Sequence, residues 1–137
     1  MLTIAAAALL FLVDVTSKYV VRRLPRHSYL LIPGLRLRRV QFVRAGFSRT
    51  RGKTALVLTW LVAMACALIL VRVGGVLDDA AAQVGVGAAL GGALGNLLDV
   101  LRRQAITDFV DLGWWPVFNL ADVAIVAGLI LCFWPMV

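Results

Sequence analysis

Long uncharged stretches alternate along this chain with short segments crowded with arginine. Residues 54–71 and 80–98 carry no charge, Leu2–Val21 carries only Asp14 and Lys18, and residues 116–137 carry only Asp122. A helix needs about 20 apolar residues to cross a bilayer core. The pattern therefore predicts four spans, at about 2–21, 54–72, 80–98 and 117–136, in a single integral membrane domain covering 1–137. The loop between the first two spans, 22–53, has a different period. Tyr29–Ile32 is a short apolar run that stops at the turn pair Pro33-Gly34. Leu35-Arg36-Leu37-Arg38 then alternates with the strand period of two, slips by one at Arg38-Arg39, and resumes at Val40 and Phe42. That slip predicts a β-bulge. The expected fold class is an all-α membrane protein, a four-transmembrane-helix bundle with a small amphipathic sheet in its first loop, arginines facing lipid phosphates.

Composition agrees: 62% of residues are hydrophobic, 15% are charged and the mean hydropathy is +0.94. A soluble domain of 137 residues would need more polar surface. The first span has no Lys or Arg at its amino end and has an aspartate inside it, which fits a retained helix better than a cleaved signal peptide. Cys66 and Cys132 fall in different spans and are expected as packing residues without a disulfide. Ten of the fourteen basic residues lie in the first loop, and Arg102 and Arg103 follow the third span on the same side of the membrane. Taken alone, the positive-inside rule would make that face cytoplasmic, but a loop that folds as a unit can escape the rule. Orientation is open at this point.

All seven acids are aspartates, and five of them (Asp14, Asp99, Asp108, Asp111 and Asp122) gather near the arginine-rich face. Asp14 and Lys18, four apart, share a helix face and can pair. Asn96 and Asp99 close the third span, while Asn119 and Asp122 open the fourth, each pair three apart. Polar groups in a span are costly, so they are either interhelical glue or functional. The two readings weigh equally for Asp14, Lys18, Asn96 and Asp99, whereas for Asp122, with no basic neighbour in its span, function is favoured. Gly87, Gly91 and Gly95, with Gly92 beside them, form a small-residue ridge that lets another backbone approach; packing explains it without a nucleotide loop. Trp114 and Trp115 mark an interfacial belt before the fourth span.

Several chemistries drop out. The single histidine, His27, has no HExxH around it, so a zinc peptidase is not supported, and no metal or organic cofactor is implied. Ser17 lacks a base on its own helix face, and Gly46-Phe47-Ser48 lacks a strand–turn–helix setting. Two aspartates remain. Carboxylates in contact push their pKa values apart, so a pair can share one proton, activate water and protonate a leaving amine. Asp108 and Asp122 would form such a pair if a short re-entrant loop brought them together.

The ordered motifs Gly91-Gly-Ala-Leu-Gly-Asn96-Leu-Leu-Asp99, Ile106-Thr-Asp108-Phe-Val-Asp111 and Phe118-Asn119-Leu-Ala-Asp122 resemble lipoprotein signal peptidase (signal peptidase II). Asp14-Val-Thr-Ser-Lys18, Ile32-Pro33-Gly34 and Phe42-Val43-Arg44 extend the resemblance upstream. It implies a bacterial inner-membrane aspartyl endopeptidase that removes signal peptides from prolipoproteins, cutting just before a cysteine that carries diacylglyceryl. On this resemblance Asp108 and Asp122 are the catalytic dyad. Asn96, Asp99 and Asn119 orient the dyad and the substrate backbone, and Asp14 and Lys18 brace the site. The first loop becomes a β-cradle with a short helix, and the active site lies near the extracytoplasmic face, opposite to the charge-bias reading.

Three features depart from the family pattern. Arg44 is followed by Ala45-Gly46-Phe47 where the family has an asparagine, Val100 stands where it usually has arginine, and basic cytoplasmic ends are sparse. Arg102 or Arg103 could stand in for the missing arginine only from another helix face. The departures bear on substrate recognition more than on the dyad, and they leave one alternative, a non-proteolytic or substrate-altered paralogue that binds lipidated membrane proteins. An ion or proton relay would account for Asp14 and Asp122 but not for a folded loop. The expected partners are prolipoproteins with a lipidated cysteine and membrane lipids, with no nucleic acid; the sequence is silent on oligomeric state.

Overall fold

The computed structural model describes residues 1–25, 29–32, 34–43 and 79–133. The expected span at 54–72, Cys66 within it, His27, and the Arg44–Phe47 stretch lie outside the described residues. Within them the order is helix α1 (Leu2–Arg23), strands β1 (Tyr29–Ile32) and β2 (Leu35–Val43), helix α2 (Ala80–Arg103), strand β3 (Ala105–Asp111) and helix α3 (Leu120–Phe133). Helix α1 runs two residues past the expected end and α2 five, because the arginine pairs Arg22-Arg23 and Arg102-Arg103 are good helix formers that suit the negative C-terminal ends. Asp79 caps the start of α2, its side chain accepting the Ala82 N–H at 2.8 Å, and Gln104 ends it in the left-handed conformation.

Helices α1 and α2 are each long and apolar enough to cross a membrane; α3 is shorter. Their exposed faces decide the solvent. Leu2, Ile4, Leu9 and Leu12 on α1, and Val123, Val126, Leu129 and Ile130 on α3, point outward, while among the described residues the largest fully buried side chains are Lys18, Asn119, Thr107 and Asp14. Apolar outside and polar inside is the arrangement that hydrocarbon favours.

Helix α2 packs between α1 and α3 along two glycine faces. Gly87, Gly91 and Gly95 meet α1 at Thr3, Ala6, Ala7 and Asp14, whereas Gly85 and Gly92 meet α3 at Gly128 and Ala121. The sequence ridge thus covers one face, and Gly92, read as part of it, serves the other with Gly85. A Cβ on Gly91 would run into the Ala7 carbonyl oxygen, a backbone atom with no room to yield. Gly91→Ala is expected to destabilise the bundle by about 1–3 kcal/mol, the usual cost of overpacking, read as a lowered thermal midpoint in detergent.

The sheet corrects the sequence reading in one respect. It has three strands in the order β1-β2-β3, all antiparallel, so the first loop supplies two and the segment after α2 supplies the third. The β2–β3 register shifts between Leu37 and Val40, at the Arg38-Arg39 slip. Asp108 therefore stands on a strand opposite Val40 and not in a re-entrant loop. The reason lies in the β-branched and aromatic run Ile106-Thr107-Asp108-Phe109-Val110, which fits a half-buried strand.

Candidate functional site

Three segments converge where α1, α2 and β3 meet the start of α3. That start is a reciprocal capping box. The Asn119 side-chain oxygen accepts the Asp122 N–H at 3.0 Å, and Asp122 Oδ2 accepts the Asn119 N–H at 3.1 Å. Asn119 thus sits just before the helix rather than on its face. The next free amide, Ala121 N–H, donates to Asp14 Oδ1 at 3.0 Å. Three amides that a helix start would leave unpaired are satisfied by Asp14, Asn119 and Asp122.

The caps also make the site. Asn119 Nδ2 donates to Asp108 Oδ1 at 2.6 Å and to Asn96 Oδ1 at 3.2 Å. Asn96 Nδ2 donates to Asp122 Oδ1 at 2.9 Å. One asparagine thereby touches both aspartates, through its side chain on Asp108 and its backbone on Asp122. Beneath them Lys18 Nζ donates to Asp14 Oδ2 at 2.7 Å and Asn96 Oδ1 at 2.8 Å, and lies 3.8 Å from Asp99 Oδ2. Among the described residues no buried side-chain nitrogen or oxygen lacks a hydrogen-bond partner. In a medium that cannot hydrate a stray polar group, such closure is required.

All seven residues singled out in the sequence, Asp14, Lys18, Asn96, Asp99, Asp108, Asn119 and Asp122, thus fall in one connected network. Asp111 stands apart, its Oδ1 accepting the Gly113 N–H at 2.8 Å in the turn that presents the edge-to-face pair Trp114–Trp115. Two residues escaped the sequence reading. Arg22 Nη1 donates to Asp99 Oδ1 at 3.0 Å and to the hydroxyl of the fully buried Thr107 at 3.3 Å. A signal existed, because Asp14, Lys18 and Arg22 follow one another at the helical spacing of four. Arg103, four residues after Asp99, reaches it at 3.6 Å from a helix face other than that of Val100.

Burial pushes the Asp108 carboxyl above its ordinary value, the charge of Asp122 pushes the same way, and the Asn119 hydrogen bond opposes both. A carboxyl raised in the folded state binds its proton more tightly folded than unfolded, so this group's contribution to stability falls as pH rises from the ordinary value through the raised one. Asp108→Asn, which keeps an oxygen to accept from Asn119, is expected to remove that dependence. Its thermal midpoint should gain on wild type as pH rises above the ordinary carboxylate range, and parallel curves would contradict the shift.

The chain matches the family described as Signal peptidase (SPase) II over residues 6–137. The chain belongs to the signal peptidase II family. A lipoprotein signal peptidase of Rhodococcus jostii is 45% identical over 101 residues, covering 69% of this chain and 50% of that protein. One from Syntrophomonas wolfei is 44% identical over 109 residues, covering 79% and 72%, and one from Mycolicibacterium smegmatis 38% identical over 139 residues, covering 96% and 58%. The chain thus spans about half the length of the Rhodococcus relative. A solved bacterial membrane enzyme superposes with a TM-score of 0.80 over 98% of this chain and 92% of its own at 22% identity, a likeness of fold. A signal peptidase II is a membrane enzyme, and the outward apolar faces of α1 and α3 agree with that setting.

Proposed function

We propose that this protein is an aspartic endopeptidase that removes the signal peptide from prolipoproteins carrying a diacylglyceryl-modified cysteine, with Asp108 and Asp122 as its catalytic pair. The observation that carries this reading is the Asn119 bridge, which holds the two carboxyl groups together at the buried start of α3. Asp122 accepts on both oxygens, from Asn96 and from the Asn119 backbone, the arrangement of an ionised carboxylate. Asp108 accepts on Oδ1 only among the described residues, and its raised pKa makes it the holder of the shared proton. Asp122 then takes a proton from the attacking water as the Asp108 proton stabilises the carbonyl oxygen. The tetrahedral intermediate collapses when Asp122 passes that proton to the leaving nitrogen, the C–N bond breaks and Asp108 keeps its own proton as the carbonyl re-forms. Asn96 and Asn119 hold the pair, and Lys18 and Asp14 set the floor beneath it.

In this reading the chain is a four-span protein of the bacterial inner membrane. Its arginine-rich face and active site lie at the extracytoplasmic side, where the sheet meets lipid headgroups and the lipid-anchored substrate arrives. No cofactor enters the reaction. The test is cleavage by purified protein in lipid bilayers of a synthetic prolipoprotein peptide with a diacylglyceryl cysteine, read by mass spectrometry. A cut at the bond before the cysteine is expected. Saturable binding of the intact peptide without cleavage would favour the paralogue that only holds lipidated proteins.

A further inference from the structure

Arg22 ties three elements together at one point. It leaves the last turn of α1 with its side chain 12% exposed, and one guanidinium nitrogen reaches Asp99 on α2 and Thr107 on β3. Asp99 closes the triangle, because its Oδ2 accepts the Thr107 N–H at 3.1 Å. That bond matters for the strand. Phe109 and Val110 have their amides on the Phe118 carbonyl, so the outer edge of β3 is held by Asp99 at one end and by Phe118 at the other. Asp108 lies between those two anchors. Arg22 is itself braced, since Arg39, at the β2 bulge, donates to its carbonyl oxygen at 3.1 Å. The bulge thus turns a side chain of the sheet onto the end of α1.

We infer that Arg22 is a positioning residue for Asp108, acting through the Asp99–Thr107 junction to set where the carboxyl stands relative to Asp122. This inference rests on the peptidase reading. The guanidinium is suited to the task, because its N–H bonds lie fixed in one plane, so one nitrogen holds a carboxylate and a hydroxyl in a set geometry, whereas an ammonium's donors rotate freely. Arg23 is the internal control: one residue on, it is exposed and stacks over the Tyr19 ring, away from the junction.

The experiment measures kcat and KM for cleavage of the diacylglyceryl peptide by wild type, Arg22→Gln, Arg22→Lys, Thr107→Val and Arg23→Gln in bilayers. A displaced reacting group costs turnover, up to about 100-fold for an ångström. Arg22→Gln is expected to lower kcat about 10- to 100-fold with KM within about twofold, Arg22→Lys to fall between it and wild type, and Arg23→Gln to match wild type. Thr107→Val, nearly isosteric and still offering its N–H to Asp99, should lower kcat less, and combined with Arg22→Gln it should add little, as expected for residues sharing one path. Wild-type kcat in Arg22→Gln, a loss confined to KM, or an equal loss in Arg23→Gln would overturn the inference. If Arg22→Gln fails to insert, Thr107→Val decides, and unchanged kcat there would overturn it too. A wild type that does not cleave refutes the peptidase reading itself, and with it this one.

Discussion

Asp108→Asn and Asp122→Asn are each expected to reduce peptide cleavage on the order of a thousandfold or more, the scale at which a general acid or base acts. The two variants should fail for related but unequal reasons. At position 108 asparagine keeps an oxygen for the Asn119 donor, so the site's shape survives while the shared proton is lost. At position 122 two donors meet two carboxylate oxygens, and an amide offers only one oxygen. Asp122→Asn should therefore also lower the thermal midpoint, whereas Asp108→Asn should not. Cleavage rates and melting curves on the same preparations separate the two effects, and a variant that cleaves within about tenfold of wild type would remove that aspartate from the mechanism.

Lys18→Met should produce the largest loss of stability, about 3–5 kcal/mol, the range seen when one partner of a buried ion pair is removed. The lysine is 1% exposed, and its ammonium serves Asp14 and Asn96 while lying near Asp99. Methionine fills the stem's volume but leaves Asp14 with the Ala121 amide and Asn96 Oδ1 with the Asn119 donor. Pairing the change with Asp14→Asn should recover part of the loss, because the unpaired buried charge goes too. Unfolding of the single and double variants in detergent checks this. A single variant as stable as wild type would show that Asp14 finds another partner.

The two long apolar helices α1 and α2 and the polar cluster were legible because each rests on one physical rule: hydrocarbon tolerates neither charge nor an unpaired polar group, so uncharged runs and isolated aspartates stand out. The β2 bulge was legible for the same kind of reason, since a slip in a period of two shows in the letters. What could not be read was non-local. β3 follows a helix, is seven residues long and pairs with a strand more than sixty residues earlier. A periodicity confined to one segment says nothing of that partner. Asn119 was legible as polar, yet its place before the helix, where capping and bridging become the same set of bonds, depended on where α3 begins. Gly85 lay hidden and Gly92 was put on the wrong face because a ridge read at one spacing of four cannot show that a helix has neighbours on two faces. Arg22 was taken for part of a basic loop, and only the longer α1 brings it onto the Asp14–Lys18 face.

Cleavage of prolipoproteins by the Asp108–Asp122 pair can be followed in bacterial cells lacking their own lipoprotein signal peptidase. Prolipoprotein and its cleaved form separate on a gel. The cleaved form should accumulate with the wild-type chain and the uncleaved form with Asp108→Asn and Asp122→Asn at equal membrane levels. Uncleaved prolipoprotein with wild type inserted at that level, or cleavage that persists in both variants, would contradict that role for the pair.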